Sequence, residues 1–456
     1  MKKIIIKTLL ASGLLAGSGI AAAQTACNLF SDDTTTNGVL QSATPQAVGM
    51  NPQKLALVDK LIESEVKHGF PGAGLIIIKD GKVIKQNVYG YKLKYDRETG
   101  KPLAQPEPMQ CSTLFDLASN SKMYATNFAI MHLVYQGKID VNKPLSYYIP
   151  EYSGCDANHQ CRDTRTVKDF LNHVAGYIPD PQFFNPKAIT QYGNGLYSQN
   201  RQLTESILLT KLPFARAAGG KPIYSDADYM LLGLLIEKVT GVREDAYVES
   251  NIYNPLGLSH TTYNPLANGF MVDDCAATEV DGNTRGKTIN FPNIRTTPLQ
   301  CQVHDEKAFY SMGGVSGHAG LFSDLHDMAV LTQVAQNNGS YNGVTLWDSA
   351  VEKRFTTPLA IDDTFGLGWR RAGNKGERYS LFGDYASPDA FGHTGWTGTV
   401  TLIDPQYHLT IILLTNKKHS RYANGQFAGD QFQTGKYAPI INLIYQALPN
   451  AKYIGH

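Results

Sequence analysis

Ser119-Asn120-Ser121-Lys122 places a hydroxyl and an amine three residues apart. On a helix that separation is one turn, so the two groups can lie side by side as a nucleophile and its base. A serine hydroxyl is nearly inert at neutral pH until a neighbour takes its proton. A lysine takes it only when burial or nearby cations draw its pKa down towards neutrality. With Ser119 at the start of the helix, the positive end of the helix dipole would also favour the oxyanion formed on attack. Two later segments carry complementary chemistry. Tyr224-Ser225-Asp226 precedes an apolar helix beginning near Tyr229, and His393-Thr394-Gly395-Trp396 leads into a strand. A tyrosine beside a Ser/Lys pair can relay a proton, and Gly395 would let a substrate backbone lie close against the strand.

The Ser-x-x-Lys spacing alone says little, since about two copies are expected by chance at average composition. Ser64-Glu65-Val66-Lys67 is such a copy, inside an amphipathic helix, and reads as solvated surface. Context separates the two: Phe115-Asp116-Leu117-Ala118 precedes Ser119, and an apolar helix follows. A His-Thr-Gly triplet is expected less than once in roughly ten chains of this size. Taken singly, Tyr224 reads as a residue at a helix start and His393 as a strand-end histidine. The ordered set of three carries the functional reading.

The elements that must position these residues are legible in outline. Pro52 to His68 has apolar residues at Leu55, Leu57, Val58, Leu61, Ile62 and Val66, a helical period. Leu75–Ile78 and Lys82–Tyr89 flank Asp80-Gly81, a strong hairpin signal. Helical patterns follow at Lys122–Tyr135, Leu203–Lys211 and Tyr229–Val239. Thr397–Ile403 and Leu409–Leu414 around Asp404-Pro405 form a second hairpin, and Ile440–Leu448 closes with a helix. Strands, then helices, then strands suit an α/β chain of the α+β kind: an antiparallel sheet flanked by helices, with a mainly helical subdomain inserted. The expected division is an α/β domain from 46–118 plus 301–456 and an inserted subdomain over 119–300. No fixed-period repeat is visible.

The 456 residues are 42% hydrophobic and carry 41 basic against 40 acidic side chains, a net charge of +1. That balance argues against a nucleic-acid partner. Six cysteines without a Cys-x-x-Cys pair argue against a zinc ribbon or a thioredoxin-type centre. Met1-Lys2-Lys3, Lys7, the apolar run from Thr8 and Ala21-Ala22-Ala23 describe a secretory signal over 1–23, with cleavage before Gln24. An uncleaved signal would instead leave the chain associated with the inner membrane, although the apolar run is shorter than the ~20 residues a span needs. A lipid-attached Cys27 fits less well, because Gln24-Thr25-Ala26 lacks the aliphatic residue such a signal carries. Residues 24–45, polar and Thr-rich, read as a flexible tether. In an oxidising compartment the cysteines can pair. Cys155 with Cys161 closes a short loop, Cys275 with Cys301 is a looser pairing, and Cys27 and Cys111 remain.

Ser119-x-x-Lys122, Tyr224-x-Asp226 and His393-Thr394-Gly395, in this order, resemble the three motifs of the serine β-lactamase and penicillin-binding protein superfamily. Ile223-Tyr224-Ser225-Asp226 before Leu231-Leu232-Gly233, Ala319-Gly320-Leu321-Phe322-Ser323 and Phe365-Gly366-Leu367-Gly368-Trp369 support the resemblance, which runs from about residue 45 to 448. It implies a β-lactamase-like fold and a periplasmic serine hydrolase working through an acyl-enzyme, foremost a D-alanyl-D-alanine carboxypeptidase acting on peptidoglycan peptides. Ser119 would attack, Lys122 would act as base and Tyr224 would relay the proton. The backbone N–H groups of Ser119 and Trp396 would hold the oxyanion. Asp226, His393, Thr394, Gly395 and Trp396 would face the substrate. β-Lactams would be acylating ligands, and no metal or organic cofactor is implied. The same apparatus serves muropeptide amidases and carboxyl esterases, and a non-catalytic penicillin-binding or wall-sensing protein is the alternative of a different class.

Two departures from the family pattern bear on mechanism. The second motif usually ends in Asn, whereas an ionised Asp226 only accepts hydrogen bonds and would hold Lys122 charged. The third motif often begins with Lys, whereas His393 is only partly charged near neutrality, which disfavours efficient β-lactam hydrolysis. Other signals read as structural. Gly314-Val315-Ser316-Gly317 is a Gly-rich turn rather than a nucleophile elbow, because His318 stands where the last Gly is needed. His304-Asp305-Glu306 is not a zinc helix, since Ala308 takes the second His position; with His318 it would line the cleft or form loop hydrogen bonds. Ser323 before Asp324 and Asp327 reads as a helix N-cap. His173 has no physical role assigned from the sequence.

Overall fold

The computed structural model describes residues 24–31, 39–156, 158–187, 195–374 and 376–455; the signal segment 1–23 lies outside the described residues. Its frame consists of α1 (Pro52–Lys67), β1 (Gly72–Lys79), β2 (Lys82–Tyr95), α2 (Phe128–Tyr135), α3 (Asp226–Thr240), α4 (Leu325–Gln336), β3 (Phe391–Gly395), β4 (Thr399–Asp404), β5 (Leu409–Thr415) and α5 (Ala438–Gln446). The main sheet runs β2-β1-β5-β4-β3, every neighbouring pair antiparallel, so both ends of the chain meet at its centre where β1 pairs with β5. The β1–β2 turn has positive φ at both Asp80 (53°) and Gly81 (70°), the backbone that an Asp-Gly hairpin requires.

The central strands are apolar without alternation because both faces are covered. Leu75, Ile77, Ile411 and Leu413 pack with α1 and α5, burying Val58, Ile62, Ile440 and Ile444. Ile76, Ile78, Ile412 and Leu414 face α2, α3 and α4. A period-2 pattern marks a sheet with one wet face, and here neither face is wet. This arrangement is a β-lactamase-like fold, with helices flanking an antiparallel sheet. Among the described residues no helix is long and apolar enough to cross a membrane.

Three local expectations change. The described residues of the 24–45 segment are fixed to the sheet rather than free: Thr25–Ala26 pairs antiparallel and Gln41–Ser42 parallel with β2, and Cys27 is bonded to Cys111. Phe30 and Leu40 are buried and anchor it, two apolar residues hidden in a Thr-rich composition. The N-cap of α4 is Asp324, which accepts from the Asp327 N–H, so Ser323 ends a strand instead. The helix after Ser119 opens as a π-turn over Lys122–Asn127 before becoming regular α2. The other two cysteine pairs, Cys155–Cys161 and Cys275–Cys301, form as the spacing indicates.

Candidate active site

Ser119 sits in a tight turn whose geometry is set by its neighbours. Ala118, immediately before it, has φ 47°, a left-handed conformation that alanine rarely adopts. The Asp116 carboxylate holds that turn by accepting from the Ala118 N–H at 2.8 Å and the His304 N–H at 2.6 Å. Two threonines of the third-motif segment hold it from the other side: Thr397 donates to the Asp116 carbonyl at 2.6 Å and Thr399 to the Leu117 carbonyl at 3.0 Å. Asn120 and Ser121, the two residues inside the Ser-x-x-Lys motif, are structural. Asn120 Nδ2 donates to Thr399, and Ser121 Oγ accepts from the Leu321 N–H. Gly395 has a structural role besides the one expected. A Cβ there would stand 2.3 Å from the Leu117 carbonyl oxygen, so the backbone that needs the missing side chain is the protein's own nucleophile turn.

Lys122 is fully buried and its ammonium donates in three directions, to Ser119 Oγ at 3.0 Å, Asp226 Oδ1 at 2.8 Å and the His318 carbonyl at 3.0 Å. Burial alone would push its pKa down, but the Asp226 carboxylate and the Tyr224 phenol outweigh it, and the pKa is raised. Asp226 opposes its own burial through Lys122 and Lys307 and is held well below the usual carboxylate range. Its second oxygen lies 3.1 Å from Lys307 Nζ. Both oxygens are therefore taken by ammonium groups, and Asp226 is not in the wall of the cleft, contrary to the substrate contact expected of it.

The cleft over Ser119 has a volume of about 410 Å³, and Tyr224, His393, Thr394, Gly395 and Trp396 line it as the motifs require. The Lys122 ammonium lies 4.8 Å from the centre of the Tyr224 ring. The Tyr224 hydroxyl is buried without a well-formed hydrogen bond, and burial raises its pKa although Lys122 draws it down. His393 Nδ1 donates to the Thr394 carbonyl at 2.8 Å, so Nδ1 is the protonated nitrogen. Burial and then the Lys122 charge push its pKa down to about 3, so it is neutral at physiological pH. Trp396 is 41% exposed and stacks on His304, with ring centroids 4.5 Å apart.

Several cleft residues were not singled out by sequence. Arg370 lies between the Phe365 and Tyr379 rings, 3.8 and 4.1 Å from their centroids, with its Nε buried and unpartnered. Lys417 and Lys418 also line the cleft and share one counter-ion, Asp430. Arg370 directly follows Trp369 in a supporting motif, the only signal that could have located it. His318 joins Asp305 through Nε2 at 2.8 Å and Ser316 through Nδ1 at 2.8 Å, so it belongs to the turn behind Lys122. Asp226, Asp305 and His318 converge closely enough to suggest a metal site, but the Lys307 ammonium already stands among the two carboxylates. His173 accepts the Ser225 N–H at 3.1 Å and packs its ring against Tyr224 at 4.6 Å, which gives it the role of positioning the second motif.

A serine turn under strain, a buried lysine beneath it, a tyrosine alongside and a cationic cleft above form a centre suited to acyl transfer. The β-lactamase family model matches residues 58–431, and the chain belongs to that family of serine hydrolases. It is 48% identical over 432 residues to the "N-acetylmuramyl-L-alanine amidase" of Bacillus subtilis, covering 93% of this chain and 94% of that protein. It is also 48% identical over 416 residues to a Salmonella typhi protein named "Putative D-alanyl-D-alanine carboxypeptidase", covering 90% and 94%. Among solved structures, a penicillin-binding protein homologue from Caulobacter crescentus superposes with a TM-score of 0.62 at 19% identity, covering 88% of this chain and 99% of that one. The hydrolase EstCE1 gives 0.62 at 21% identity, covering 85% and 98%. Both share the fold.

Proposed function

We propose that the protein is an exported serine hydrolase that works through an acyl-enzyme on peptidoglycan peptides, as a D-alanyl-D-alanine carboxypeptidase. The observation that carries this reading is Arg370, a guanidinium that makes no salt bridge among the described residues and lies in the same wall as Thr394. Neutral His393 cannot hold a peptide's terminal carboxylate by charge, whereas Arg370 can, with the Thr394 hydroxyl donating beside it. Once the Lys122 ammonium has given up a proton, Ser119 Oγ attacks the carbonyl as its own proton passes to the Lys122 amine. The N–H groups of Ser119 and Trp396 hold the oxyanion. The C–N bond breaks as Tyr224 hands a proton to the leaving amine and recovers one from Lys122. Water reverses these steps to free the acid and Ser119. β-Lactams, which offer the same carbonyl and carboxylate, would acylate Ser119. Three disulfides support export to the oxidising periplasm.

A second reading, an amidase cutting between the sugar lactyl group and the stem peptide, is favoured by the Bacillus subtilis relative. Mass spectrometry of a defined pentapeptide muropeptide, incubated with the mature protein and with Ser119→Ala, separates the two. Loss of one terminal alanine by the native protein alone supports the carboxypeptidase. A severed sugar-peptide amide with the alanine end intact replaces it with the amidase. An unchanged muropeptide overturns both.

A further inference from the structure

Asp226 stands between two lysines, and only one of them has a place in the mechanism above. The second, Lys307, is 4% exposed and held by three carboxylates: Asp180 Oδ1 at 2.6 Å, Asp226 Oδ2 at 3.1 Å and Asp305 Oδ2 at 3.3 Å. Burying an ammonium this deeply is costly, and it is tolerated only where opposite charge surrounds it. The three carboxylates serve that purpose for Lys307, yet one of them is also the direct partner of the lysine beneath Ser119.

The geometry points to Lys307 as a positioning residue that shares the Asp226 carboxylate with Lys122 and so weakens the hold of that carboxylate on the Lys122 proton. This inference rests on the reading of Ser119 as the nucleophile and Lys122 as its base. A carboxylate 2.8 Å from a lysine with nothing on its far side would lock that lysine as an ammonium. Lys307 supplies the missing charge on the far side. A neutral Asn at this position needs no such balance, so Asp226 and Lys307 form a matched pair from segments remote in sequence.

The other charges around the pair fit this assignment. Facing Lys122 are Tyr224 and Tyr229, whose rings lie 4.8 and 5.8 Å from its nitrogen, together with the neutral imidazoles of His173 and His393. Arg370 lies beyond Tyr224. Facing Lys307 are its three carboxylates, with His318 bonded to the other oxygen of Asp305. His318 also faces Asp226 and favours its charged form, but among the described residues Lys307 is the ammonium paired with Asp226 Oδ2.

The test is the pH dependence of Ser119 labelling by a fluorophosphonate probe, followed on the intact protein by mass spectrometry from pH 5 to 10. Such a probe needs a deprotonating base but no particular peptide. Lys307→Met should move the acidic limb up by about one pH unit, which is roughly a tenfold slower reaction at pH 7. Lys307→Arg, keeping the charge, should leave the limb in place. Asp180→Asn, a change at a half-exposed side chain that frees Lys307 for Asp226, should move the limb down, and it tests the inference even if Lys307→Met does not fold. Limbs that stay put in Lys307→Met or Asp180→Asn, with labelling merely slowed at every pH, would show a structural role and overturn the inference. Native protein that takes no label at any pH would overturn the nucleophile reading and this inference with it.

Discussion

Asp226 and Asp228 lie two residues apart in the first turn of α3, and their environments are opposite. Two residues is about 200° around a helix, so one carboxylate points to the Ser119 side and the other into the helical core. Asp226 meets two ammonium groups and stays ionised. Asp228 is 1% exposed, neither of its oxygens has a hydrogen-bond partner, and burial pushes its pKa well above the ordinary value. The core holds a second such acid, Glu244, pushed up to about 8 by burial despite the Thr126 hydroxyl beside it. Burial alone does not make a catalytic electrostatic centre. In the core it silences carboxylates by leaving them protonated, while at the site it strengthens charges that arrive with partners.

The largest test of this contrast exchanges each aspartate for its neutral amide. Asp226→Asn removes the counter-charge of two buried lysines and should cost about 3 kcal/mol in urea unfolding at pH 7. Asp228→Asn replaces one neutral group by another and should stay within about 1 kcal/mol. Equal costs would break the comparison.

Glu244→Gln sharpens it through pH. The folded protein holds a proton on Glu244 that the unfolded chain releases above its ordinary pKa, so this group's contribution is complete at low pH and is lost as pH rises towards about 8. Thermal melts of native protein and Glu244→Gln should coincide near pH 4.5. They should then diverge in favour of the variant, by on the order of 1.4 kcal/mol per pH unit at most. A smaller effect concerns His393, whose pKa near 3 places no titration between pH 5 and 8. His393→Gln should lower kcat/KM yet leave the shape of its pH profile unchanged over that range. Smallest of all, Ser64→Ala alters the exposed Ser-x-x-Lys copy on α1 and should change stability by less than about 0.5 kcal/mol, with labelling of Ser119 unaffected.

The legible parts of the fold are those written in short-range pattern. The apolar period of α1, the Asp80-Gly81 turn and the β4–β5 hairpin are local properties, and each forms within a few residues of where the sequence places it. The segment ahead of α1 misled for a physical reason. Its composition is polar, but Cys27, Phe30 and Leu40 are buried and anchor its described residues to the sheet. Gly395 carries a second constraint the sequence did not show, because the Leu117 carbonyl that comes close to it belongs to a segment far away in the chain.

By itself the sequence determined the one-turn spacing of Ser119 and Lys122 and the order of the three motifs. These follow from residue type and local geometry, which act over a few residues. Only the tertiary structure decided which charges meet. It set Lys307 against Asp226, left Arg370 in the cleft wall without a salt bridge among the described residues, made His393 neutral, and raised the pKa of Asp228 by burial while its neighbour two residues away stayed ionised. A charge's behaviour depends on the dielectric around it and on partners within a few ångströms, and both are fixed only when distant segments close over it.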